Sequence, residues 1–113
     1  MHELSLAQNI IEIVQDIIQD QNGAVVTEVA VDIGELVAVV PDSLEFCYNT
    51  LIEDTTLKGS RLKVNIIPLK GTCSACATEF HIKDMVFLCP QCDSTSITVN
   101  QGQELKISYL EVE

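Results

Sequence analysis

The sequence predicts an α+β fold in which two helices pack on a small three-stranded sheet, with a four-cysteine module inserted between the last two strands. Three observations carry this prediction: two segments with helical apolar spacing, three segments in which apolar and polar residues alternate, and two closely spaced cysteine pairs. A chain of 113 residues is long enough for one core and a small appended module. We expect residues 1–70, completed by a strand at 103–113, to form an α/β domain, and residues 71–102 to form the cysteine module.

The first predicted helix has one apolar face, because its large aliphatic residues recur three and four positions apart. They are Ala7, Ile10, Ile11, Val14, Ile17 and Ile18. Ser5 is the expected N-cap, with Gln8 completing a capping box, so residues 1–4 should precede the helix. Asn22 and Gly23 provide a stop signal.

The second predicted helix begins near Asp42, which we expect to be its N-cap, with Glu45 three residues later. Its apolar face comprises Leu44, Cys47, Tyr48, Leu51 and Ile52. Because Cys47 lies in this face and has no histidine or basic residue close in sequence, it is expected to be a buried, unreactive thiol.

Three segments alternate with the period of a strand that has one polar face. Their apolar residues are Val25, Val29, Val31 and Ile33 in the first, Leu62, Val64 and Ile66 in the second, and Leu105, Ile107 and Tyr109 in the third. The cysteine pairs fall between the second and third of these segments.

The cysteines form two Cys-x-x-Cys pairs, Cys73 with Cys76 and Cys89 with Cys92, with twelve residues between the pairs. This spacing is typical of a tetrahedral metal site, and structural Zn(II) is the favoured ion. Four thiolates leave no open position for water or substrate, which argues against zinc catalysis. Two disulfides and a rubredoxin-like iron site are the alternatives.

The charge is strongly asymmetric. The formal net charge is −11 at pH 7, and every Lys and Arg follows residue 57. A nucleic-acid partner is therefore not expected, since binding a polyphosphate requires a basic surface. The longest apolar run, residues 36–40, is too short to cross a bilayer, and no secretory signal is recognisable, so we expect no membrane contact and a cytoplasmic location.

The amino terminus places a histidine directly after the first residue. The α-amine of Met1, the imidazole of His2 and the backbone amides of His2 and Glu3 could form chelate rings around one ion, and a plane of nitrogen donors suits Ni(II) or Cu(II). Most terminal histidines bind no metal, and the spacing alone does not decide whether His2 is a ligand or an ordinary terminal residue.

Together, the start Met1-His2-Glu3-Leu4-Ser5-Leu6-Ala7 and the late Cys73-x-x-Cys76 and Cys89-Pro90-x-Cys92 pairs resemble the HypA/HybF family of hydrogenase-maturation nickel metallochaperones. The resemblance implies Ni(II) as transferable cargo at Met1, His2 and Glu3, and structural Zn(II) at the four cysteines. It also implies delivery to the large subunit of a [NiFe] hydrogenase with a HypB-type GTPase, and in some members support of urease maturation.

The chain departs from the family pattern at two positions. His81 lies five residues after Cys76 rather than beside a cysteine pair, so we expect it to be an exposed loop residue and not a zinc ligand. Asp93 stands where the family commonly has glycine after the fourth cysteine, so the turn there must form without a residue that is free to adopt positive φ, although Asp tolerates it better than most residues.

A metallochaperone, and not an enzyme, is the favoured function, because neither histidine has a recognisable nucleophile or triad partner. A structural zinc-ribbon interaction module without transferable nickel is the second hypothesis, and an iron-based electron carrier is the third. A urease accessory protein and a second copy of the chain, forming a homodimer, are further partners that the family pattern allows.

Overall fold

The computed structural model describes residues 3–19, 21 and 24–113. In chain order the elements are α1 (Glu3–Ile18), β1 (Val26–Gly34), a 3-10 helix (Glu35–Val37), α2 (Pro41–Leu51), a second 3-10 helix (Ile52–Asp54), β2 (Arg61–Ile67), β3 (Lys70–Cys73), β4 (Glu79–His81), β5 (Ile97–Gln101) and β6 (Leu105–Val112).

The strands form two three-stranded sheets. In the first, β1 is central, parallel to β2 and antiparallel to β6, and α2 supplies the crossover that a parallel pair requires. In the second, β3 lies between β4 and β5, and both pairings are antiparallel. The second sheet carries the cysteines and is inserted between β2 and β6, so the predicted fold class is confirmed.

Both helices pack on one face of the first sheet and enclose the core. Its buried residues come from α1, β1, α2, the turn that follows α2, and β2: Leu6, Ala7, Ile10, Ile11, Val14, Val26, Val29, Val31, Ile33, Leu44, Tyr48, Ile52, Leu57 and Leu62. The Tyr48 hydroxyl is buried but hydrogen-bonds the Ser60 hydroxyl at 2.6 Å, and Ser60 donates to the Leu57 carbonyl at 2.6 Å. These hydrogen bonds compensate for the desolvation of a polar atom that is buried in the core.

The predicted start of α1 is wrong. The helix already includes Glu3 and Leu4, so Ser5 lies within its first turn and is not the N-cap. A carboxylate in the first turn favours this earlier start, and Glu3 also accepts a hydrogen bond from the backbone N–H of Val40 at 3.1 Å. The α-helix ends at Ile18, and the predicted stop at Asn22 and Gly23 lies outside the described residues.

The predicted cap of α2 is also wrong. Asp42 lies inside the first turn, Val40 is the N-cap without a side-chain hydrogen bond, and Pro41 is the first helical residue. Proline suits this position because its φ is already helical and its missing N–H would have no helical partner. The predicted apolar face of α2 is confirmed, although Cys47 is half-buried against the core and not fully buried.

The start of β1 and two register shifts in its pairing with β6, at Thr27 and at Ser108, decide which residues face the core. Val25, predicted to be in the first strand, precedes β1 and is 50% exposed, whereas Val26 is buried. In β6 the residues opposite Ala30 and Val31 are Tyr109 and Ile107, which leaves Ser108 as a bulge. Beyond the bulge it is Leu110, and not the predicted Tyr109, that packs on the core.

Gly34 is predicted to be essential for joining the two sheets. A Cβ at this position would overlap the backbone carbonyl of Gly102, and the Gly34 N–H donates to the Glu104 carbonyl at 2.7 Å. Gly34→Ala should therefore lower the free energy of unfolding by about 3 kcal/mol or more, measured by urea denaturation. Gly71→Ala is the control, because its Cβ would meet the side chains of Ile97 at 2.7 Å and Ile82 at 3.0 Å and the Thr98 carbonyl at 3.0 Å, a milder overlap than at Gly34, so its loss should be smaller. Equal stability of the Gly34 variant and the unmodified chain would contradict this.

Candidate metal centre

The two cysteine pairs have matching backbone conformations. In the first pair the Cys73 sulfur accepts the Ala75 N–H at 3.4 Å and its carbonyl accepts the Ala77 N–H at 2.8 Å. In the second, the Cys89 sulfur accepts the Gln91 N–H at 3.3 Å and its carbonyl accepts the Asp93 N–H at 3.0 Å. Each turn therefore directs two sulfurs to the same side.

Each turn ends with a residue in the left-handed region, Ala77 at φ 62° and Asp93 at φ 62°. Asp93, which stands where the family commonly has glycine, thus adopts the positive φ itself. The positive φ of Ala77 was not predicted, although Ala77 follows the second cysteine of its pair directly, as Asp93 does. In the second turn Pro90 follows Cys89, where its fixed φ favours a tight turn.

The four sulfurs converge on one point. All lie within 4.8 Å of one another, with 3.6 Å between Cys73 and Cys92 and 3.5 Å between Cys76 and Cys89. A tetrahedron with metal–sulfur bonds of about 2.3 Å has edges of about 3.8 Å, so the set is compatible with zinc. A disulfide requires about 2.05 Å, and all five cysteines are free, so the disulfide alternative is excluded in this structure.

The shifted pKa values of the clustered thiols favour a bound cation. The Thr78 hydroxyl, 3.1 Å from the Cys76 sulfur, and the Thr78 backbone lower the pKa of Cys76 to about 6. The Ser94 backbone lowers the pKa of Cys92, but the adjacent thiols, Cys73 foremost, outweigh it and raise that pKa to about 12. Thiolates this close repel one another unless a divalent ion neutralises them, and binding the ion then releases protons.

The cluster is anchored to the second sheet. Cys73 and Cys89 are buried, whereas Cys76 and Cys92 are exposed. The N–H of Cys73 donates to the Thr78 carbonyl and that of Cys89 to the Ser94 carbonyl, each at 2.9 Å. Among the described residues only these four cysteines form such a metal-binding group, and Cys47 is not part of it.

His81 is exposed, as predicted, but it lies in a strand and not in a loop. It is the last residue of β4, and its Nε2 lies 2.8 Å from Oε1 of Glu35, in the 3-10 helix after β1. The same Glu35 oxygen accepts the Leu69 N–H at 2.8 Å. The Leu69 hydrogen bond, followed by that of His81, lowers the pKa of the Glu35 carboxyl. His81 therefore ties the second sheet to the first and does not join the cysteine cluster.

The predicted nickel ligands are placed only in part. Met1 and His2 lie outside the described residues. Glu3 opens α1, and its hydrogen bond to Val40 sets the beginning of that helix beside the loop that leads into α2. No helix in the described part of the chain has the length and apolar character needed to span a bilayer.

The chain resembles known proteins along nearly its full length. Residues 1–112 match the family model described as hydrogenase/urease nickel incorporation, metallochaperone, HypA. Hydrogenase maturation factor HypA of Trichodesmium erythraeum is 40% identical over 113 residues, covering 100% of this chain and 96% of the relative. The protein of the same name from Geobacter metallireducens is 38% identical and covers 100% of both.

Solved structures of similar proteins support the fold. The solution structure of the Ni metallochaperone HypA from Helicobacter pylori superposes with a TM-score of 0.67 at 24% identity, covering 99% of this chain and 97% of that one. A second solution structure, of HypA protein, gives a TM-score of 0.71 at 23% identity, covering 100% and 97%. At these identities the likeness is evidence for the fold alone.

Proposed function

Since this chain belongs to the HypA family of nickel-incorporation metallochaperones, we propose that it binds Ni(II) through Met1, His2 and Glu3 and delivers it for the maturation of a [NiFe] hydrogenase. Urease is a second client class, because the family description includes it. In this proposal Cys73, Cys76, Cys89 and Cys92 hold structural Zn(II), and residues 71–102 form the zinc module that interrupts the α/β domain.

The four-cysteine cluster is the observation that supports separate binding sites for zinc and nickel. Its four sulfurs can supply a complete tetrahedral shell, which is typical of a structural ion and leaves no open coordination position. A cargo ion therefore needs another site. The chain start offers an amine, an imidazole and backbone amides, and such nitrogen donors match the preference of Ni(II).

The charge distribution supports nickel capture at the amino-terminal half. Residues 1–57 contain eleven acidic and no basic residues, whereas the rest of the chain has six of each. The resulting negative potential attracts divalent cations to this part of the molecule. Because the proposed ligands precede or open α1, a partner could take the ion without unfolding the core.

The proposed partners follow from the family. They are a HypB-type GTPase, the large subunit of a [NiFe] hydrogenase and, for urease, an accessory protein of that enzyme. The acidic amino-terminal half would favour partners with basic contact surfaces.

Adding residues before Met1 tests the proposed nickel site. Such an extension converts the α-amine into an amide, so it removes one nitrogen ligand while leaving every cysteine in place. We expect nickel affinity to fall roughly a hundredfold with zinc content unchanged, measured by titration of extended and cleaved protein with each metal. If the extended chain binds nickel as tightly as the cleaved chain, the alternative of a zinc-ribbon interaction module without transferable nickel would be favoured.

A further inference from the structure

The second sheet has an open edge at β4. Its strand order is β4-β3-β5, so β4 pairs with β3 on one side, and the described part of the chain places no strand on the other side. In an antiparallel pair, alternate residues direct their backbone groups toward the partner strand, and the residues between them point away. The Cys73 N–H donates to the Thr78 carbonyl, which fixes the phase of this alternation. The backbone N–H and C=O groups of Glu79 and His81 therefore point outward along the edge.

Two clefts border this edge, and both include Phe80 and His81 in their walls. The first cleft, of about 170 Å³, is lined mainly by apolar residues: Phe80, His81, Lys83, Val86, Leu88 and Pro90. The second cleft, of about 200 Å³, is lined by Lys70, Glu79, Phe80 and His81. Because they share two residues of β4, the clefts adjoin along the strand, and together we call them the β4 groove.

A tight turn holds apolar side chains of the groove in solvent. Asp84 and Met85 both have positive φ, 52° and 61°, and the Val86 N–H donates to the Lys83 carbonyl at 3.0 Å. Two consecutive residues with positive φ are the pattern of a type I′ turn, which favours Asn and Gly and disfavours a methionine. Val86 remains 55% exposed and Leu88 40% exposed, so burial in the core does not explain this conformation. Backbone strain of this kind is typical of functional segments.

The groove has a small excess of positive charge. Residues 64–105 include two basic residues, Lys70 and Lys83, and both line the groove. Among the described residues, neither lysine has an ion-pair partner. Glu79 is the one acidic residue in the walls of the two clefts, and the His81 side chain is already bonded to Glu35. The groove thus differs from the rest of a chain whose net charge is −11.

We propose that the β4 groove binds an extended segment of a partner protein in which apolar and acidic residues alternate. This segment adds a strand beside β4 and bonds to the outward backbone groups of Glu79 and His81. Alternate side chains of a strand point to opposite faces of the sheet. The apolar residues of the segment then contact Phe80 and Val86, and its carboxylates lie on the face that Lys70 shares with His81, its partner across the strand pair. A carboxylate at the end of the segment reaches Lys83.

The contact is expected to be weak and reversible. β4 has three residues, so strand pairing alone contributes few hydrogen bonds, and the side-chain contacts in the two clefts must supply the rest. The net charge of the chain opposes an acidic partner, but salt screens exposed charges over about 8 Å at physiological ionic strength, so the lysines in contact with the segment dominate. The groove contains none of the proposed nickel ligands, so its test is independent of nickel binding.

The test is an amide NMR titration of the untagged, zinc-loaded chain with nine-residue peptides in which glutamate alternates with valine, isoleucine or phenylalanine. At least one peptide should bind saturably, with a dissociation constant below about 1 mM. The amide signals of residues 79–90 should shift, and hydrogen exchange of the Glu79 and His81 N–H groups should slow. Methylating one alternate set of peptide backbone amides should abolish binding, whereas methylating the other set should not. Lysine in place of glutamate should weaken binding roughly tenfold or more.

Variants of exposed groove residues locate the contact. Lys83→Glu and Val86→Ser should each weaken peptide binding roughly tenfold, the first through charge and the second through lost apolar contact. Lys63→Glu is the control for charge, since it makes the same reversal in β2 of the first sheet. Met85→Ser is the control for the apolar contact, because Met85 is 59% exposed and adjoins Val86 but does not line the groove. Each control should change the affinity by roughly twofold or less.

Four results would overturn the proposal. The first is the absence of saturable binding by every glutamate peptide to the unmodified chain, a measurement that does not depend on the folding of any variant. The second is equal or tighter binding of the lysine peptides, because the groove would then not select acidic segments. The third is a set of amide shifts confined to β2 or β6, which would place the peptide on the first sheet. The last is a loss of affinity in the two control variants as large as that in the groove variants.

Discussion

Replacing Cys73 with alanine is expected to abolish stoichiometric zinc binding and unfold the second sheet. Cys73 is 1% exposed, ends β3, and contributes both a sulfur to the cage and a carbonyl to the turn that positions Cys76. Structural zinc in small domains contributes about 10–16 kcal/mol of apparent binding free energy at pH 7, which is also folding free energy. The three remaining thiolates would retain only a fraction of this binding free energy.

The damage should stay local, because the core of the first sheet contains no buried residue from the cysteine module. Every member of its buried cluster lies between Leu6 and Leu62. Hydrogen exchange of the Cys73→Ala variant should therefore accelerate in β4 and β5 but remain slow in β1.

Cys47→Ala is the matched control for this experiment, since it removes a half-buried cysteine outside the cluster. It should keep one zinc per chain. A Cys73 variant that retains both its zinc and its thermal stability would show that the cage is not structural.

Replacing His2 with alanine should lower nickel affinity by more than a hundredfold while zinc content and thermal stability stay unchanged. The imidazole is the only side-chain nitrogen in the proposed nickel site, and loss of even an outer-shell partner of a metal ligand costs roughly 10–100-fold. Residue 2 precedes Glu3, the first described residue of α1, and the described core does not include it. Competition titrations with a coloured chelator would measure the nickel affinity.

His81→Ala is the control, because His81 is the one other histidine of the chain. Its partner Glu35 lies at the junction of the two sheets, so this variant should keep nickel affinity and lose at most a little stability. If His81→Ala weakened nickel binding as much as His2→Ala, the cargo site would lie at the junction and not at the chain start.

Much of the fold could be predicted because helix and strand periods are strong signals. Most of the apolar faces of α1 and α2 and the three strands of the first sheet follow from the spacing of Ile, Val and Leu. In α1 the prediction was wrong at Ile17, which is 44% exposed, and left out Leu6, which is buried. The helix starts could not be predicted from capping motifs, because tertiary contacts decided them. Glu3 bonds to Val40, 37 residues away, and Pro41 starts α2 without any capping side chain.

The side-chain direction in β6 was mispredicted because a bulge has no simple sequence signal. Ser108 interrupts an otherwise regular alternation, and only the pairing with β1 reveals it. The grouping of the four cysteines could be predicted from their local spacing, but the positive φ of Ala77 in the first turn was not. The Glu35–His81 contact could not, because it joins residues 46 apart in sequence that only the fold brings together.

Metal analysis of the untagged protein after joint exposure to Ni(II) and Zn(II) would show whether the two metals occupy separate sites. With a closed thiolate cage and a separate nitrogen site, each chain should hold one zinc and one nickel, and X-ray absorption should show sulfur around zinc and nitrogen or oxygen around nickel. The His2→Ala variant should keep the zinc alone. Nickel bound by the cysteine sulfurs, or no stoichiometric nickel at all, would contradict a separate nickel site at the amino terminus.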